Sequence, residues 1–295
     1  MQNGDLGVPM GTKASVGLLP DDELERHSSQ APPTGLLIIN ADDWGRDRDT
    51  SDRILECVRC GSVSSVSAMV FMKDSERAIT IAREYRIDAG LHLNFTTPFS
   101  AAGRAKLMEH QQRLSGFLQR HRFAPVLFHP GLTGSFEYVV AAQLDEFNRL
   151  YGVEPTRIDG HHHMHLCANV VLGNLLPPGG LVRRSFSFRA GEKSCANRMY
   201  RWFVNHMLRR RHQLADFLFS LPPLEPADRL QRIFSLARKF AVEVETHPIN
   251  AEEYRFLTGG DIFRRTRDLP IAPGFAMPIR QRAGKEEGRG SNGTA

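Results

Sequence analysis

From Gly35 onward the chain alternates short apolar runs with amphipathic stretches. "GLLIIN" is an unbroken apolar, β-branched run and predicts a buried strand ending at Asn40. "TSDRILECVRCG" predicts a helix capped at Thr50 or Ser51 and stopped by Gly61. "VSSVSAMVF" reads as a second strand, "DSERAITIAREY" as a helix capped by Asp74, and "DAGLHLNF" as a third strand with period-2 alternation. Residues 104–122 are helix-compatible. "SFEYVVAAQLDEFNRLYG" is an amphipathic helix whose apolar face is Phe136, Val139, Val140, Leu144, Phe147 and Tyr151. "TRIDGHHHMH", "LVRRSFSFR" and "AVEVETHP" are further strand candidates, the last two separated by a basic helix and by "PADRLQRIFSLARKFA". Alternating strands and helices predict an α/β fold with a parallel sheet, a single (β/α) barrel that is closed, distorted or incomplete.

At 41% hydrophobic and 24% charged residues, the 295-residue chain has the makeup of a folded globular protein. Residues 1–34 and 279–295 are polar and rich in Gly, Ser and Pro, and are expected to be flexible tails around a domain at 35–278. The first residues hold no apolar run of signal or membrane-spanning length, so the expected location is the cytoplasm. Cys57 and Cys60 spell C-x-x-C, but at the end of a helix-like run, where no helix N-terminus lowers a thiol pKa. The net charge of +5 is locally concentrated: "RMYRWFVNHMLRRRHQLA" (198–215) carries five arginines and no acidic residue. A solvated face on a packed helix and a peripheral membrane contact both fit this stretch. No nucleic-acid motif accompanies the charge, and nucleic acid is not an expected partner.

Polar residues gather where strands end: "NADDWG", "GLHLN", "DGHHHMH" and "ETHP". In parallel α/β folds these ends share one mouth, so distant segments can meet there. Adjacent Asp42 and Asp43 would point apart on a strand, one to a metal and one to substrate. Two imidazoles and one carboxylate with a position left for water suit a catalytic divalent ion, which acidifies water and polarises a carbonyl.

Taken in order, "NADDWG", "GLHLNFT", "PTRIDGHHHMH" and "VEVETHP" resemble the motifs of the YdjC/ChbG carbohydrate deacetylases, over residues 36–248. The resemblance implies a metal-dependent hydrolase that removes acetyl groups from an N-acetylated sugar, oligosaccharide or carrier-linked glycan. It implies Asp42 as the base and His247 as the acid, with Asp43, His92 and His161 holding one divalent ion, zinc or magnesium. His163, His165, Trp44 and Asn94 would contact substrate or support the ligands; His163 and His165 would share a strand face with His161, and His162 would be structural. Two positions depart from the family pattern: Trp44 stands where phenylalanine is usual, and "HPI" replaces "HPG". Two other metal hydrolases share this ligand chemistry, an amidohydrolase-type enzyme and a phosphoesterase. A non-enzymatic basic module using the Arg-rich helix is the remaining reading.

Overall fold

The computed structural model describes residues 35–100, 103–189 and 191–275, so the expected tails lie outside the described residues. Strands β1 (Leu36–Trp44), β2 (Ser65–Ala68), β3 (Asp88–Leu93), β4 (Arg157–Gly160), β5 (Leu181–Val182), β6 (Phe217–Ser220) and β7 (Ala241–Thr246) form one sheet in the order β5-β4-β3-β2-β1-β7-β6. Every pairing is parallel. The sheet curls into an incomplete (β/α) barrel. β5 and β6 lie at its edges; Leu181 of β5 bridges to Gln213, ahead of β6, and the Ser187 N–H, beyond β5, donates to the Leu218 carbonyl of β6.

The first three α/β units match their sequence pattern, with α1 (Arg48–Arg59) following β1 and α2 (Ser75–Tyr85) following β2. The cap of α1 differs: it is Asp47, whose carboxylate accepts the Thr50 N–H, while Thr50 and Ser51 are buried inside the helix. Strand β1 runs four residues past Asn40 because its end is bulged, with the register against β2 shifting between Ala41 and Trp44. After β3 come α3 (Ala105–Leu118) and α4 (Thr133–Tyr151), and α4 buries Phe136, Val139, Val140 and Phe147. Those apolar positions recur every three to four residues, which is why the segment is a helix with one buried face.

Several expected strands are shorter than their patterns: of "VSSVSAMVF" only Ser65–Ala68 pairs, and the two after α4 are cut shorter still. The fourth stops at Gly160, and His161–Leu166 forms a tight 3-10 turn with His162 (φ 54) and His163 (φ 56) in the left-handed region. A strand face common to His161, His163 and His165 therefore does not exist. Gly160 permits the turn: a Cβ there would lie 3.0 Å from the His165 backbone nitrogen. Of "LVRRSFSFR", only Leu181–Val182 joins the ladder. The remaining helices are α5 (Ala168–Leu172), α6 (Cys195–Arg209), α7 (Ala227–Ala237), α8 (Ala251–Thr258) and α9 (Asp261–Thr266). The four cysteines are free, and burial pushes the Cys57 and Cys167 thiols up to about 12, leaving them unreactive.

Candidate metal and active site

The carboxyl ends of β1, β3, β4 and β7 carry buried polar side chains that meet at one mouth. On a regular strand Asp42 and Asp43 would diverge. Here Asp43 has φ 69, at the bulge, and both carboxylates reach the same cluster. His92 belongs with each of them: its ligand atom groups with Asp43 and His161, and also with Asp42 and Asp159.

Asp43, His92 and His161 form the group best suited to a cation. Asp43 Oδ1 lies 2.9 Å from His161 Nδ1 and 3.4 Å from His92 Nε2. Its other oxygen accepts a 3.0 Å bond from Arg46. Burial alone would raise the Asp43 pKa, but the His161 and His92 imidazoles outweigh it and hold the carboxyl well below the usual range. Asp43 Oδ1 and His92 Nε2 are both buried, and although imidazole and carboxylate crowd one another there, neither atom makes a well-aligned hydrogen bond, a costly arrangement that a bound ion would relieve. Asp42 is a poorer ligand, because the Arg183 guanidinium already occupies both of its oxygens at 2.7 and 2.8 Å.

The second layer explains how the ligands are aimed. Asp159 Oδ1 lies 2.7 Å from His92 Nδ1 and accepts a hydrogen bond from it, which aims Nε2 at Asp43. The other Asp159 oxygen accepts from Ser67 Oγ at 2.5 Å and pairs with Arg183 at 3.1 Å. Burial would lower the His92 pKa, yet the Asp42 and Asp159 carboxylates push it up to about 10; the field that draws a proton there would also draw a metal ion. Asp159→Asn, which removes the carboxylate behind His92, is expected to weaken metal affinity about 10- to 100-fold with the fold intact. Chelator competition followed alongside thermal melting checks this, and unchanged affinity would reject the orienting role.

Arg183 is the hub of the site. Completely buried, it pairs with Asp42, Asp159 and Glu243 and reaches Glu245 at 3.4 Å. Burial would raise Asp42, but the Arg183 and His92 charges hold its carboxyl below the ordinary value. Glu243, with burial dominant over its Arg183 contact, is pushed up to about 7. His247 Nε2 stands 4.0 Å from Asp42 Oδ2, and its ring is 32% exposed. Glu253 ties down the turn that carries it, accepting from the His247 N–H, Thr246 Oγ1 and Asn250 Nδ2. Ile249, at the glycine position of the family's "HPG", is not among the left-handed residues and is partly exposed, so the exchange imposes no backbone strain.

The other expected site residues are dispersed. His163 Nε2 faces Glu245 at 3.3 Å and its ring meets Phe186 edge-on at 4.5 Å. His165 is buried behind the site, its Nε2–H donating to the Arg183 carbonyl, and burial holds it neutral by lowering its pKa to about 3. The His162 ring lies 4.0 Å from that of His161, tilted by 31°, and bonds Thr96. Asn94 accepts from the Thr96 and Thr97 N–H groups and so shapes the loop after β3. Trp44 is fully buried. Sequence reasoning missed the roles of Asp159, Arg183, Glu243 and Glu245. The two glutamates carried a signal, since alternating carboxylates in an otherwise apolar strand are out of place.

With this geometry in view, comparison with known proteins is decisive at the family level. The model of the family described as YdjC-like protein matches residues 36–258. The chain belongs to that family. Among relatives of this YdjC-like chain, a carbohydrate deacetylase of Danio rerio is 27% identical over 166 residues, which are 55% of this chain and 53% of the relative. A chitooligosaccharide deacetylase of Yersinia pestis is 30% identical over 138 residues, 46% of this chain and 52% of the relative. The chain thus spans about half the length of the curated relatives it matches. A crystal structure from Enterococcus faecalis, of a protein provisionally described as cleaving cellobiose phosphate, superposes with TM-score 0.56 at 18% identity. It covers 81% of this chain and 96% of its own and establishes likeness of fold.

Proposed function

We propose that this YdjC-like chain is a metal-dependent deacetylase acting on N-acetylated amino sugars, whether free oligosaccharides or carrier-linked glycans. The observation that carries the reading is the pair of buried atoms without a well-aligned hydrogen bond, Asp43 Oδ1 and His92 Nε2, beside His161 and within one cluster with Asp42. Asp43, His92 and His161 would hold one divalent ion, zinc or magnesium. Such an ion would polarise the acetyl carbonyl and acidify water.

The chain's own groups then divide the proton transfers. Asp42, kept ionised and oriented by Arg183, accepts the proton of the attacking water. His247, across 4.0 Å and open to solvent on one side, donates a proton to the departing amine. His163, held by Glu245 and packed on Phe186, lines the approach to these groups. The origin of the donors disfavours an amidohydrolase-type reading, in which a His-x-His pair acts as joint ligand: His163 pairs with Glu245 and belongs to none of the potential metal groups.

The test is acetate release from a panel of N-acetylglucosamine compounds, using metal-stripped protein reloaded with each divalent ion. Acetate is expected only after reloading, and His161→Ala should lose both metal and activity. Release of phosphate from phosphate esters with no acetate from any sugar would overturn the deacetylase reading. Full metal stoichiometry in His161→Ala would overturn the ligand set.

A further inference from the structure

Helix α6 presents an unusual outer face. It buries Val204, Asn205 and Leu208 against the core, with Tyr200 and Met207 partly packed. Yet Met199 is 67% exposed, Trp202 66% and Phe203 44%. These lie on the helical stripe that also carries Arg198, His206 and Arg209, and the charge continues through Arg210 and Arg211. Although Trp202 and Phe203 are apolar, they stand outside the packed face. Exposing three large apolar side chains together is costly for a surface that meets only water. No helix among the described residues is long and apolar enough to cross a membrane, so this face would lie on a surface rather than span one.

We propose that the outer face of α6 docks the protein on an anionic lipid bilayer. Arginines flanking Trp, Phe and Met side chains are the makeup of an interfacial helix, in which the apolar groups enter the headgroup boundary and the cations meet anionic lipid. A second copy of the chain is a poor occupant, because a symmetric contact would set five arginines, with no acid between residues 198 and 215, against themselves. A soluble glycan accounts for less of the surface. The adjacent groove, about 310 Å³ and bordered by Arg184, Phe186, Phe188, Arg201 and Trp202, does not include Met199 or Phe203.

The placement bears on the site. The Phe186 ring lies 4.5 Å from His163 and 6.4 Å from Phe188, and Phe188 receives the Arg201 guanidinium at 4.8 Å. A line of rings therefore connects the mouth to the docking helix. A glycan held in a bilayer by a lipid carrier would reach the acid and base along it. That last step rests on the deacetylase reading; docking itself does not, and is measured without substrate.

The test is sedimentation of the full chain with vesicles of phosphatidylcholine alone or mixed equally with phosphatidylglycerol. Binding is expected to the anionic vesicles only and to weaken with added salt. Of the two tryptophans, Trp44 is fully buried, so a blue shift of emission on binding reports Trp202. The triple variant Met199→Ala, Trp202→Ala, Phe203→Ala and the pair Arg198→Glu, Arg210→Glu should each lower the partition coefficient at least about 10-fold. All five side chains are exposed, and unchanged melting verifies the fold. Absence of vesicle binding, or binding undiminished in the triple variant, would overturn the proposal. So would binding to heparin without binding to vesicles, or a dimer that disappears in the triple variant.

Discussion

Arg183→Met is expected to be the most destabilising single change in the described structure. The guanidinium pairs with Asp42, Asp159 and Glu243, and all four side chains are buried. Removing one partner of a buried ionic cluster leaves uncompensated charge, at a cost of about 3–5 kcal/mol. In a domain of this size that lowers Tm by roughly 10 °C, measurable by calorimetry. Methionine fills much of the vacated volume, which makes the loss mainly electrostatic. Glu243, already pushed up to about 7, sheds its charge by taking a proton, so adding Asp42→Asn should return part of the lost stability, since it removes one of the two carboxylates left ionised. An unchanged Tm for Arg183→Met would reject the hub, and a double variant less stable than the single would show that packing dominates.

Asp42→Asn is expected to cost the largest factor in turnover, about 10²- to 10⁴-fold, because an amide cannot accept the proton of water. Its metal content should stay near that of the parent, since the ligand atoms without a well-aligned hydrogen bond belong to Asp43 and His92. The same substitution at its neighbour, Asp43→Asn, should weaken metal binding itself. Acetate release and bound metal, measured on both variants, separate the roles. Asp42→Asn with near-parental turnover would remove it as the base. Loss of metal in Asp42→Asn comparable to that in Asp43→Asn would collapse the division of labour between the two.

Long apolar runs and period-3.6 stripes made β1, β7 and α4 legible, because each is decided by burial of its own residues. Short or irregular elements were less so. β6 was missed: "FLFS" is only four residues and becomes a strand by pairing with β7. β5 owes its two residues to the edge of the sheet in the same way. The histidine run carried its composition openly and its conformation not at all, since nothing local in "HHHMH" announces two left-handed residues.

Motifs at strand ends, read in chain order, carried the YdjC/ChbG resemblance that nominated Asp42, Asp43, His92, His161 and His247, and parallel topology carries all those strand ends to one mouth. Which carboxylate has free lone pairs was a tertiary matter. Asp42 is occupied by an arginine 141 positions away and His92 is aimed by an aspartate 67 positions away, contacts that no local spacing encodes. Likewise the sequence supplied the arginines and aromatics of α6, while the side of that helix left outside was decided by how it packs beside α5 and the Ser185 loop: the core had room for Val204 and Leu208, and Trp202 remained in solvent.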